Sequence, residues 1–266
     1  MLSRRFAFLD HPGPLPFAHR GGAAEGAENS AAAFERAVAL GYTYLETDAH
    51  ATSDGVLLAF HDHTLDRVTD HRGRISELPY KTVKRARIAG VHEIPLLEDL
   101  LGTWPEIRFN IDVKEAAAIA PLAEAIRRTN SYDRICLTSF SDERLVLARA
   151  ALGREVCSAL GPRGVAALRA AAATSGYGRL LTRLSRAGVP CAQVPVGFRG
   201  LRVTTRRLIR TAHAIGMQVH VWTVNDTARM EHLLDLGVDG IMTDNVTGLR
   251  DVLERRGQWH PGRLAA

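Results

Sequence analysis

"PFAHRGGAAEGAENSAAAFERAVALGYTYLETD", residues 16–48, carries one complete folding unit. It opens on a short apolar run, PFAH at 16–19, which stops at His19, Arg20, Gly21 and Gly22. An alanine-rich stretch with helical spacing runs from Ser30 to Leu40, and TYLETD at 43–48 is a second candidate strand. Strand, helix and strand in that order predict two parallel strands joined by a crossover helix. The residues that end the first strand admit two readings. His19 and Arg20 can mark where a buried strand surfaces, with the glycines forming a turn. Alternatively they form an anion site, in which arginine grips a phosphate, histidine handles a proton and the glycines let backbone approach the ligand.

The same alternation continues along the chain. Further apolar runs are IRFNIDV (107–113), RICLTSF (134–140), EVCSAL (155–160), CAQVPV (191–196), MQVHVW (217–222) and DGIMTD (239–244), which makes eight candidate strands. Helical patterns lie between most of them, at 118–128, 142–151, 162–173, 204–215 and 226–236. Eight such units in roughly 250 residues predict a (β/α)8 TIM barrel, whose chemistry sits at the C-terminal ends of its strands. A doubly wound open sheet is the alternative. No Pro-, Gly- or Ser-rich linker divides residues 1–266, so one barrel domain is expected. Residues 49–106 are too long for one strand–helix unit and predict an insertion after the second strand, with a hairpin around SDGVLLAFHD, lying over the active face.

Composition narrows the class of function. With 46% hydrophobic and 24% charged residues, the 266-residue chain falls in the range of soluble globular proteins. Its formal charge of +5 would suit nucleic acid, an anionic lipid surface or a phosphorylated small molecule. The densest basic stretches, TRRLIR (205–210) and RLLTRLSR (179–186), are spaced as solvated helix faces, and no aromatic-interleaved RNA motif accompanies them. Nucleic acid is therefore not the expected partner. No apolar run reaches the roughly 18 residues of a membrane span, and the first residues lack a signal-peptide core, so a cytoplasmic protein is expected. Cys136, Cys157 and Cys191 lie in separate apolar segments, a spacing that suits buried reduced thiols.

The charged residues at strand ends are the candidates for chemistry. Glu46 and Asp48 are two apart and leave the same face of the second strand, with Leu45 and Thr47 on the other. Two acids on one face need partners or solvent; a barrel has no edge strand, which favours metal ligation. Asp112 and Lys114 share a face at the end of the third strand. They read either as a simple ion pair or as a third carboxylate with a cation beside it. Three carboxylates suit a hard divalent ion such as Mg²⁺ or Ca²⁺. His61 follows the apolar run VLLAF and opens the triplet HDH. This triplet is a polar turn, a source of an acid or base in His61, or a metal pair of His61 and His63 with His220 as a further ligand.

HRG (19–21), AENS (27–30), ETD (46–48), HD (61–62), NIDVK (110–114), VWTVN (221–225) and GVDGIMTD (237–244) occur in this order. Together they resemble the glycerophosphodiester phosphodiesterases. The resemblance implies a (β/α)8 barrel, a divalent cation held by Glu46, Asp48 and Asp112, and catalytic histidines at His19 and His61. It also implies phosphate contacts from Arg20 and Lys114 and a site-lining aromatic at Trp222. Two departures stand out: Asp112 occupies a position commonly held by glutamate, and the usual PEN turn reads Ala27, Glu28, Asn29. The implied reaction is hydrolysis of a glycerophosphodiester to glycerol 3-phosphate and an alcohol. A lysophospholipase D-like, lyase-type cleavage giving a cyclic phosphate and a non-catalytic phosphoester-binding barrel are the alternatives.

Overall fold

The computed structural model of the chain describes residues 6–25, 27–153, 155–173, 182, 184 and 188–262. Eight parallel barrel strands are present: β1 (Leu15–His19), β2 (Tyr44–Ala51), β3 (Arg108–Val113), β4 (Ile135–Thr138), β5 (Cys157–Ser158), β6 (Cys191–Pro195), β7 (Gln218–Trp222) and β8 (Gly240–Thr243). Each coincides with one of the apolar runs. They pair in the order β5-β4-β3-β2-β1-β8-β7-β6. The pairing of β1 with β8, Leu15 opposite Gly240, excludes the open-sheet alternative. Among the described residues a single parallel bridge, Ala159 to Cys191, joins the remaining two strands and leaves a nearly closed barrel.

The described helices of seven or more residues are α1 (Ala31–Ala39), α2 (Leu97–Thr103), α3 (Ile119–Arg128), α4 (Asp142–Leu152), α5 (Pro162–Ala173), α6 (Arg206–Ala214), α7 (Thr227–Leu236) and α8 (Val246–Arg255). Five of them begin on a side-chain cap. Ser30, Ser141, Thr205, Asp226 and Asn245 accept hydrogen bonds from Ala33, Arg144, Leu208, Arg229 and Gly248 N–H, respectively. The TRRLIR stretch enters α6 with Leu208 and Ile209 buried and its arginines exposed, as a solvated helix face requires. The RLLTRLSR stretch lies outside the described residues except at 182 and 184. None of the described helices is long and apolar enough to cross a membrane.

The barrel interior is layered. At the floor, Phe8 is fully buried among Leu15, Phe17 and Tyr44, and the Tyr44 hydroxyl donates to the Phe8 carbonyl at 2.7 Å. Above it, Gln193 Nε2 donates to Asn110 Oδ1 at 2.7 Å, and His220 lies against Gln193 on one ring nitrogen and Gln218 on the other. Cys136, Cys157 and Cys191 also converge here, their sulfurs all within 4.8 Å of one another. All three are buried free thiols. The insertion after β2 forms a strand, Leu57–Ala59, antiparallel to β2. It continues through a small core of its own built on Leu58, Phe60, Leu65, Ile75, Val83 and Ile88.

Candidate active site

β1 delivers His19 to the C-terminal mouth and then turns sharply. Arg20, Gly21 and Gly22 have φ of 52°, 82° and 92°. A Cβ on Gly21 would stand 2.9 Å from the Ala33 and Phe34 backbone, and one on Gly22 would stand 2.9 Å from Val246. The glycines thus let the strand exit pack against the starts of α1 and α8. The turn also aims the Arg20 N–H at Glu46 Oε2, at 3.1 Å. A turn and a charged site therefore coexist in the same residues.

β2 lies between β1 and β3, and all eight of its residues are buried. Glu46 and Asp48 consequently have no solvated edge. Asp48 stands directly opposite Asp112 across the β2–β3 ladder. Lys114 Nζ reaches Asp48 Oδ1 and Asp112 Oδ2, each at 2.8 Å. Asn29 Nδ2 donates to Asp48 Oδ2 at 3.0 Å, and Arg20 Nε lies 3.5 Å from the same oxygen. Burial alone would raise the Asp48 pKa, but Lys114 and Arg20 outweigh it and hold the carboxyl below its ordinary range. Glu46 is less well compensated. Burial first and the Asp48 charge second push it up to about 7. Asp112 Oδ1 is buried with no hydrogen-bond partner among the described residues. Surplus buried carboxylate charge and an unpartnered oxygen fit a hard cation.

Both candidate histidines are oriented by carboxylates. His19 Nδ1 lies 2.6 Å from Asp244 Oδ1, and its Nε2 lies 3.7 Å from Glu46 Oε2. Asn225 Nδ2 fixes Asp244 in turn at 2.8 Å. His61 Nδ1 lies 2.6 Å from Asp62 Oδ1. Arg67 binds Asp62 through Nε at 2.5 Å and Glu28 through Nη2 at 2.6 Å, while Arg20 Nη1 reaches Glu28 at 3.0 Å. A chain of ion pairs therefore runs from His61 in the insertion back to Arg20. Burial opposes the imidazolium of His19, but Glu46 and Asp244 outweigh it and raise its pKa. For His61 burial prevails over Asp48 and Asp62, and the pKa is lowered.

Trp222, at the end of β7, meets Phe140 edge to face with ring centroids 5.5 Å apart. Phe140 is 64% exposed, and Lys114 Nζ stands 5.9 Å from its ring centroid. The eight candidate residues thus gather at one end of the barrel, joined by Asp244, Asp62, Glu28, Asn29, Arg67 and Phe140. Asp244 and Asp62 were visible only as the last letters of GVDGIMTD and HD, and Phe140 carried no signal. The histidine-metal arrangement does not form. His220 is fully buried in the barrel on Gln193 and Gln218, and His63 packs against His50 with centroids 5.0 Å apart. A cavity of about 670 Å³ lined by Tyr42, Arg108, Asn130 and Arg134 contains none of the candidate residues.

Fold and mouth first define a class: a (β/α)8 barrel that concentrates acids, cations and oriented histidines at its strand ends. The model of the glycerophosphoryl diester phosphodiesterase family matches residues 19–247, and the chain belongs to that family of phosphoric diester hydrolases. It is 40% identical, over 95% of each chain, to the Mycobacterium tuberculosis protein called "Probable glycerophosphodiester phosphodiesterase 2". Solved structures share the fold. A protein of this family from Silicibacter pomeroyi superposes with a TM-score of 0.80 at 22% identity, covering 96% of this chain and 100% of that one. An Oleispira antarctica phosphodiesterase, solved with its product sn-glycerol-3-phosphate, gives 0.77 at 22% identity, covering 91% and 97%.

Proposed function

We propose that the chain hydrolyses glycerophosphodiesters such as glycerophosphocholine to glycerol 3-phosphate and an alcohol, with His19 and His61 as the acid–base pair and a divalent cation as cofactor. The observation that carries this reading is the pairing of each histidine, through Nδ1, with its own carboxylate. An Nδ1–H donated to Asp244 or Asp62 leaves Nε2 as the nitrogen that gives or takes a proton. In-line displacement at phosphorus needs one such group on the attacking side and one on the leaving side.

Glu46, Asp48 and Asp112 would hold the cation, and their all-oxygen donor set suits Mg²⁺ or Ca²⁺. When bound, such an ion supplies Lewis-acid polarisation of the phosphodiester oxygens. Arg20 and Lys114 neutralise charge that develops on the phosphoryl group. Trp222, with Phe140 against it, forms an apolar wall for the part of the substrate that carries no charge. On this reading residues 1–266 act as one barrel domain with the 49–106 insertion contributing His61. Three free thiols in mutual reach fit a reducing, cytoplasmic setting.

The test is a panel of glycerophosphodiesters assayed with and without chelator, products followed by phosphorus NMR. Turnover lost on chelation, restored by Mg²⁺ or Ca²⁺ and ending in a linear phosphomonoester is the expected result. A persistent cyclic phosphate would make the reaction lyase-type, and full activity without metal would overturn the cofactor assignment.

A further inference from the structure

His50 stands two residues beyond Asp48 on β2 and is 1% exposed. Both of its ring nitrogens face acceptors. Nε2 lies 3.2 Å from the His61 carbonyl oxygen, and Nδ1 lies 3.1 Å from Glu115 Oε1. A neutral imidazole carries one N–H. With that N–H on the His61 carbonyl, Nδ1 presents its lone pair on the side of Glu115, as a metal-ligating imidazole does. A third donor stands beside the pair. The His63 ring meets His50 edge to face at 5.0 Å, and His50, His63 and Glu115 each offer one ligand atom, all within 4.8 Å of one another.

We propose that His50, His63 and Glu115 form a binding site for a late first-row divalent metal ion, Zn²⁺ foremost, separate from the carboxylate set of Glu46, Asp48 and Asp112. Two imidazoles and one carboxylate are the donor types zinc takes, whereas Mg²⁺ and Ca²⁺ take oxygen. The surroundings match those of a metal-bound histidine. The nitrogen not facing the cluster is held by a backbone carbonyl, which fixes the tautomer and presents the other nitrogen as a ligand. Glu115 is steadied by the Ala51 N–H, which donates to Oε1 at 3.0 Å. His63 is exposed, so ions have access from solvent and a water can complete the coordination. The three ligands come from the end of β2, the segment after Leu57–Ala59 and the residue just past Lys114. An ion bound there ties the segment carrying His61 to two barrel strands.

The site is tested on the full chain, stripped of metal and held in saturating Mg²⁺, by titrating Zn²⁺ calorimetrically and Co²⁺ by visible absorption. One Zn²⁺ equivalent is expected that Mg²⁺ does not displace, with Co²⁺ showing the intense bands of a low-coordinate nitrogen site. His63→Ala, at an exposed position, should weaken that equivalent by at least about 10–100-fold, the loss typical of removing even an outer partner of a metal ligand. It should leave turnover with Mg²⁺ unchanged. Glu115→Gln should weaken binding in the same direction. Zn²⁺ affinity and Co²⁺ spectrum unchanged in His63→Ala would place the metal elsewhere, on the carboxylates or on the Cys136, Cys157 and Cys191 thiols, and overturn the proposal. So would a wild-type chain that takes up no Zn²⁺ under Mg²⁺. The readout is binding, so it stands apart from whether the chain turns over a phosphodiester.

Discussion

Asp244 and His19 are 225 residues apart in sequence and 2.6 Å apart in space, and that one contact decides which nitrogen of His19 faces the mouth. Replacing the carboxylate by an amide, Asp244→Asn, permits the opposite tautomer. We expect kcat to fall by about 10²–10⁴-fold, the range of a general acid or base, with KM changed little; steady-state kinetics would check this. A KM effect alone would make Asp244 a substrate contact. His220 offers a second test at this scale. Burial lowers its pKa, so the folded chain keeps it neutral where the unfolded chain would protonate it. The unfolded state then binds more protons below about pH 6.5, and stability contributed by a neutral His220 is lost as pH falls through that region. Denaturant melts of wild type and His220→Gln between pH 7 and 5 should show the variant with the shallower pH slope. Residues such as His19, Glu46, Asp48 and His61 were legible because each ends an apolar run with an expensive polar group. Asp244 and Phe140 were not, because their partners arrive from distant strands.

Elements were legible where an apolar run and a helical period alternated, which covers the eight strands and the helices between them. α8 follows the last strand and so had no second strand to bracket it. α2, LEDLLGT, is a seven-residue helix inside the insertion, too short for a period to show. The three cysteines read as separate buried residues, and their convergence comes from register: Cys136 is opposite Cys157 across β4 and β5. The five capped helix starts all follow barrel strands, so their N-terminal ends and partial positive charge gather on the catalytic face. Thr205→Ala removes the acceptor for Leu208 N–H at α6. A loss of about 1 kcal/mol is expected. For a chain of this size that corresponds to a Tm lower by about 2–4 °C. Turnover should be unchanged; calorimetry and assay on one preparation would check both.

On the scale of the whole molecule, the number of alternating units announced a barrel, but closure depended on pairing the first strand with the last. No local pattern encodes that contact. Nor could net charge say that Arg67 bridges the insertion to the barrel by binding Asp62 and Glu28 together. Arg67 is about half exposed, and such surface pairs typically contribute about 0–1 kcal/mol. Arg67→Ala should therefore barely move Tm while lowering turnover, because Asp62 and through it His61 lose their anchor. A matched fall in Tm and activity would instead mean that the insertion itself unfolds.

The seam between β5 and β6 has a consequence for how the barrel breathes. Six residue pairs lock β2 to β3, whereas β5 is two residues long and, among the described residues, one bridge just past its end, at Ala159, meets β6. Solvent should reach the amide hydrogens flanking that bridge through local opening long before it reaches those of β2, whose exchange requires the ladder carrying Glu46 and Asp48 to come apart. The carboxylates thus sit on the side of the barrel that opens last, and the wall can fluctuate opposite them without disturbing their spacing.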